Sequence, residues 1–155
     1  MEVFQKLKKF LKENRIEFRE INHQPTFTSE ESANVRGEDL SVGGKALVMK
    51  IDDEFKLFVI SAAKKIDSKK IKKHFNVKKT RFATKAELMQ LTGLVPGSIP
   101  PFGRPILDFD LYADRSVTQN ERIAFNAGSL SNSFILETAD YLRIAKPEVI
   151  DFAED

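Results

Sequence analysis

The sequence predicts a single α/β domain, built on a mixed, largely antiparallel β-sheet flanked by short helices. A length of 155 residues suits one hydrophobic core. Strand-like and helix-like runs follow one another without the strict alternation of a parallel βαβ fold. No internal repeat, low-complexity linker or shift of composition divides the chain, so residues 1–155 read as one domain. Hydrophobic residues at 41%, with 13 phenylalanines, supply the core material.

The elements follow in order. Val3, Phe4, Leu7, Phe10 and Leu11 share a face at helical period, predicting a first helix that ends near Asn14. The lysines among them, and the lack of a small-residue cleavage site, make this a folded helix, not a secretory signal. Ile16 to Asn22 reads as extended. Thr28 followed by Glu31 forms a capping-box pattern for a short helix that Gly37 ends. Lys45–Ile51 and Glu54–Ile60, joined by Asp52-Asp53, predict a β-hairpin. Asp67 caps a lysine-rich helix reaching about His74, and Val77–Phe82 follows as a strand. Thr84 with Glu87 is a second capping box, starting a helix that Gly93 stops. Strands are predicted at Ile106–Ala113, Arg122–Ala127 and Ser133–Glu137. A helix over Ala139–Ala145 closes the fold.

Composition excludes several chemistries. With no cysteine there are no disulfides, thiolate metal sites or cysteine nucleophiles. Lysines and acids interrupt every apolar stretch, so no membrane span is predicted. The two histidines, His23 and His74, lie far apart without ligand spacing, which argues against a zinc site or a histidine triad. No Walker loop, dinucleotide fingerprint or nucleophile elbow appears. No metal and no cofactor are expected.

Charge is unevenly spread. Net charge is only +2, yet Lys64 to Lys85 holds nine lysines and one arginine against one acid, Asp67. The C-terminal stretch carries Glu148, Asp151, Glu154 and Asp155. The basic segment is either a solvated helix face or a surface for a polyanion, with Lys69, Lys70, Lys72 and Lys73 as the phosphate contacts.

Two further features suggest a site. On a strand from 45 to 51, Lys45 shares a face with Leu47, Met49 and Ile51. Such a lysine either snorkels to solvent or points into a cleft, where its ammonium could hold a phosphate or polarise a carbonyl. Four of the six prolines, with Gly97 and Gly103, fall between Pro96 and Pro105. A stiff loop of this kind either serves as a bare crossover or displays the backbone amides near Gly97 and Ser98 to a ligand. Asn126, before Ala127-Gly128, reads as a turn residue or a site amide.

Taken together these pieces resemble the YbaK/ProX family, the YbaK/aminoacyl-tRNA synthetase-associated domain. The resemblance runs from about His23 to Ala145. It rests on His-Gln-Pro-Thr-Phe-Thr-Ser-Glu-Glu at 23–31, Gly-Lys-Ala-Leu at 44–47 and Ala-Thr-Lys-Ala-Glu-Leu at 83–88. Leu-Thr-Gly-Leu-Val-Pro-Gly-Ser-Ile-Pro-Pro-Phe-Gly at 91–103, Asp114, and Phe-Asn-Ala-Gly at 125–128 complete it.

The resemblance implies a stand-alone editing hydrolase that cleaves a wrong amino acid, such as Ala, Cys, Ser or Thr, from tRNA. It implies that Lys45 is the catalytic lysine and that Gly97, Ser98, Ile99, Pro100 and Pro101 form the loop around the aminoacyl group. Asn126, Gly128, His23 and Thr28 are expected to contact substrate. The implied partners are aminoacyl-tRNA and a synthetase, for a monomer acting in the cytoplasm. Two other readings use the same residues differently: a non-catalytic tRNA-binding module, and a domain that docks on a synthetase.

Overall fold

The computed structural model describes residues 2–155. The first helix, α1 (Val3–Glu13), buries Leu7 and Leu11, and β1 (Phe18–Asn22) follows it. Next, α2 (Ser29–Arg36) starts where the Thr28 hydroxyl accepts the Glu31 amide at 3.1 Å, and it ends at Gly37. The predicted hairpin is present as β2 (Gly44–Ile51) and β3 (Glu54–Ser61), with Lys45 opposite Ile60. Asp67 caps α3 (Ser68–Phe75) by accepting from the Lys69 amide.

After the short β4 (Thr80–Phe82) comes α4 (Lys85–Thr92). Thr84 and Glu87 cap each other reciprocally at its start. The remaining elements are β5 (Leu111–Asp114), β6 (Arg122–Asn126), β7 (Asn132–Glu137), α5 (Thr138–Ala145) and β8 (Glu148–Ile150).

Strand pairing is mixed and mostly antiparallel, as predicted, but it is divided between two sheets. One has three antiparallel strands in the order β1-β7-β6. The other has the order β4-β2-β3-β5-β8, with β5 and β8 joined in parallel. The sheets meet where Gly43 bridges Ala124. A Cβ on Gly44 would fall 2.7 Å from Ile123 Cδ1, so a glycine is needed for this approach. The junction immediately precedes Lys45 and fixes where that residue leaves the sheet.

Three expectations need correction. Ile106–Asp110 is not strand: Ile106 and Leu107 are buried in a turn, both amides donating to the Gly103 carbonyl. The run is apolar because it packs inward, not because it pairs. The strand predicted from Val77 begins only at Thr80. Finally, α5 does not close the fold, because β8 adds an edge strand beside β5.

The five-stranded sheet has a different core on each face. Ala46, Val48, Leu57 and Val59 face the larger one, which contains Phe102, Phe125, Phe134 and Tyr141. Phe102 meets Tyr141 and Phe125 edge-on at centroid distances of 5.3 and 5.6 Å. Met49, Ile51, Phe58 and Ile60 face the smaller core, where Ile71 of α3 and Phe152 pack. Leu47 packs there too, so Lys45 shares its face of β2 with the lysine-rich helix.

Candidate active site

A cleft of about 240 Å³ opens at the start of β2, where the two sheets join. Thr26, Thr28 and Ser32 contribute from one side, Lys45 and Leu47 from the strand, and Gly97, Ile99 and Asn126 from the other. Among the described residues its lining includes two cations, Lys45 and Arg36, and no acid. Neither cation forms an ion pair among the described residues. Lys45 is half-buried, and its ammonium has no protein acceptor among the described residues.

The proline-rich loop is held from two directions. Tyr141, fully buried, donates its hydroxyl to the Pro101 carbonyl at 2.7 Å, and burial pushes its phenol well above the usual range. From the end of β6, Asn126 Nδ2 donates to the Gly97 carbonyl at 2.8 Å, and the Gly128 amide donates to the Ser98 carbonyl at 2.9 Å. Gly97 adopts φ +88°, a region that side-chain-bearing residues avoid. The amides of Gly97 and Ile99 donate to no backbone acceptor among the described residues, and both residues line the cleft.

The loop amides differ from expectation at one position. The Ser98 N–H donates to the Val95 carbonyl, as does its hydroxyl, and Ser98 is buried behind the cleft wall. Of residues 97–99, only the amides of Gly97 and Ile99 are without a backbone acceptor among the described residues. Pro100 and Pro101 also lie behind the lining, as supports of the loop. Gly128 does not line the cleft; a Cβ there would meet Val3 and the Phe4 amide at 3.1 Å. His23 lies outside it as well, with Nδ1 against the Gln24 carbonyl at 2.8 Å and Nε2 against Ser133 Oγ at 2.9 Å. A carbonyl only accepts, so Nδ1 carries the proton.

Asp114 is a structural clamp. Its carboxylate accepts from the amides of Ser116, Phe152 and Ala153, tying the C-terminal segment to β5.

Arg36 was not legible as a site residue. It is only 7% exposed, and burial pulls its guanidinium down to about 10, still charged at neutral pH. It donates through Nε to Ser133 Oγ at 2.9 Å and through Nη2 to Asn126 Oδ1 at 3.1 Å. In sequence it is a basic residue in the last turn of a short helix, a position usually explained by the helix dipole. Thr26 and Ser32, whose hydroxyls share a 2.8 Å hydrogen bond in the cleft wall, were missed for a similar reason. Hydroxyls are common in loops and helix starts.

The lysine helix is only partly free. Lys70 donates to the Ala153 carbonyl at 2.7 Å and to Asp155 at 2.9 Å, so the acidic C-terminus covers one of its charges. Lys69, Lys72 and Lys73 form no ion pair among the described residues.

Residues 23–144 match the Aminoacyl-tRNA editing domain family. The chain is 38% identical over 154 residues to the multifunctional Ser/Thr-tRNA deacylase ProXp-y of Escherichia coli K12, covering 96% of this chain and 91% of that one. It is 26% identical over 138 residues to the proline–tRNA ligase of Macrococcus caseolyticus, covering 89% of this chain but 24% of the ligase. A solved structure described as a candidate trans-editing enzyme for prolyl tRNA synthetase superposes with a TM-score of 0.83 at 22% identity, over 99% of this chain and 98% of that one.

Proposed function

The chain belongs to the aminoacyl-tRNA editing domain family and is an aminoacyl-tRNA deacylase, and we propose that it removes serine and threonine from tRNA in the cleft between Lys45 and Gly97. The single observation that carries the placement is the cleft itself, which among the described residues is lined by two cations without ion pairs, by two loop residues whose amides meet no backbone acceptor, and by no acid.

The reaction is ester hydrolysis. A water oxygen bonds to the carbonyl carbon, the carbonyl oxygen gains negative charge, and the carbon–oxygen bond to the terminal ribose breaks. The ribose hydroxyl leaves with a proton, and the free amino acid departs. An aminoacyl ester is already activated, so the chief demand on the protein is to stabilise the oxyanion and orient the reacting groups. The Gly97 and Ile99 amides take the developing oxyanion. The Lys45 ammonium holds the ester or the terminal adenosine from the opposite wall. Among the described residues no imidazole or carboxylate lines the cleft, so the ribose hydroxyl of the tRNA orients the attacking water.

Size and lining support a small, hydroxylated amino acid. The volume lies below the roughly 300–1,000 Å³ of drug-sized sites, leaving room for a short side chain while the nucleotide stays at the mouth. Thr26 and Ser32 offer hydroxyls to a seryl or threonyl side chain, in keeping with the substrates named for the Escherichia coli relative. Phe27, 77% exposed at the mouth, offers a ring on which an unpaired base can stack. Lys69, Lys72 and Lys73 lie on the Lys45 side of the sheet and receive the tRNA phosphates. At the usual strand rise, Lys45 and Ile51 are about 20 Å apart along β2, a span several nucleotides can bridge.

No helix among the described residues is long and apolar enough to cross a membrane. We place the protein in the cytoplasm as a monomer acting on released aminoacyl-tRNA, with a prolyl-tRNA synthetase as the related partner. The test is single-turnover deacylation over a panel of correctly and incorrectly charged tRNAs. Rapid loss of seryl and threonyl esters is the expected result. Tight binding of every tRNA with no acceleration of any ester would leave only an RNA-binding module.

A further inference from the structure

Arg36 is buried, charged and without a carboxylate partner among the described residues. Burying an uncompensated cation is costly, and Met or Leu would fill the same space without that cost. What the guanidinium does is visible in its hydrogen bonds. It can only donate, so the Asn126 atom 3.1 Å from Nη2 has to be the amide oxygen. Ser133 Oγ lies 3.2 Å from the same oxygen and 2.9 Å from Arg36 Nε. With its oxygen held on that side, Asn126 turns its nitrogen toward the loop, where Nδ2 reaches the Gly97 carbonyl. The usual ambiguity of an amide flip is therefore resolved by the arginine. The second hydrogen on Nδ2 remains for the cleft that Asn126 lines.

We propose that Arg36 is a positioning residue of the deacylation site: it holds Asn126 as a donor toward the Gly97 carbonyl, so that the Gly97 and Ile99 amides face the ester in one fixed arrangement. The inference rests on the deacylase reading of the cleft. Arg36 acts through Asn126 and Gly97 and does not itself take part in the chemistry. The loop needs such a hold because Gly97 sits at φ +88°, from which a free glycine readily departs.

The experiment uses the full chain with seryl-tRNA under single-turnover conditions, comparing wild type with Arg36→Lys, Arg36→Met, Asn126→Asp, Asn126→Ala and the Arg36→Met/Asn126→Ala double variant. Arg36→Met is expected to lower the rate about tenfold, less than the roughly hundredfold or more of an oxyanion donor lost outright because the loop is loosened and not removed, with uncharged-tRNA affinity retained. Arg36→Lys recovers part of the rate, because the ammonium keeps a charged donor for Asn126 Oδ1 but lacks the planar fork that engages Ser133 and Asn126 through separate nitrogens. Asn126→Asp is the decisive partner: it keeps the shape and gains an ion pair with Arg36, yet it has no hydrogen to give Gly97. It is expected to stay folded and lose as much rate as Arg36→Met.

In the Asn126→Ala background, Arg36→Met is expected to add little further loss, since both changes break one chain of contacts. A folded Arg36→Met with the wild-type rate, a fully additive double variant, or an Asn126→Asp of undiminished rate overturns the proposal. Should Arg36→Met fail to fold, Asn126→Asp decides alone. A wild type that hydrolyses no charged tRNA refutes the deacylase reading instead, before Arg36 is tested.

Discussion

The Gly97 carbonyl accepts a 2.8 Å hydrogen bond from Asn126 Nδ2, joining the proline-rich loop to the end of β6. This contact changes what a substitution at Gly97 should do. A Cβ there would meet only Leu130 Cδ2, at an ordinary 3.5 Å, so intrusion is not the obstacle. The obstacle is φ +88°, which a β-branched residue strongly resists. Gly97→Val should swing the peptide away from Asn126 and misplace the amides of residues 97 and 99. A loss on the order of a hundredfold in single-turnover rate is expected, with uncharged-tRNA affinity unchanged. Equal loss of rate and affinity would show that the loop shapes the RNA surface or the fold instead.

Lys45→Ala should remove most of the hydrolysis and leave the fold intact. Lys45 stands at the start of β2, and its ammonium contacts no protein acceptor among the described residues, so truncation leaves no buried group unpaired. Thermal melting should move by no more than a few degrees, as for a change of about 1 kcal/mol or less. The rate should fall by about a hundredfold or more, because without the ammonium's hold the ester is misplaced against the loop amides. A well-folded Lys45→Ala with the wild-type rate would remove Lys45 from the mechanism.

The legible parts of this molecule were those determined by local chemistry. Thr28, Asp67 and Thr84 each cap a helix within three residues of their own position, and the Asp52-Asp53 hairpin is closed by adjacent strands. Lys45 and the Gly97 loop were visible as an odd lysine and an odd density of proline. The illegible parts depend on distant partners. Glu148–Ile150 becomes a strand only because β5 offers an edge. Arg36 becomes a site residue only because Asn126 and Ser133, 90 and 97 positions away, receive its hydrogen bonds. The Ser98 amide looked free between prolines and is closed by Val95, which no spacing pattern reveals.

The α4 cap should make stability depend on acidity. Hydrogen bonds from Arg81 and then from the Thr84 backbone hold the Glu87 carboxyl down at about 2, below the ordinary 4.5. A depressed carboxyl contributes fully above its unfolded value, and that contribution declines as pH falls toward 2. Glu87→Gln should therefore be destabilising near pH 6, and its difference from wild type should shrink progressively below pH 4.5. Chemical denaturation of both proteins across that range measures it. A difference independent of pH would mean that the ionised carboxylate adds nothing to the cap.

The lysine helix offers the last test, and the structure narrows it to three residues. Lys70 is engaged with Asp155 and the Ala153 carbonyl, so reversing its charge would disturb the C-terminus as well as any RNA contact. Lys69, Lys72 and Lys73 have no such engagement among the described residues. Reversing these three should weaken tRNA binding and flatten its salt dependence. Each lost phosphate contact removes roughly 0.7–0.9 from the slope of log affinity against log salt, so about 2 to 3 is expected for all three. The chemical step should be spared, because contacts made equally in the ground and transition states change binding without changing the rate at saturation. Deacylation at saturating seryl-tRNA should then return to near the wild-type value while the half-saturating concentration rises. An unchanged affinity and slope would make α3 a solvated face, and the tRNA would have to approach Lys45 from elsewhere.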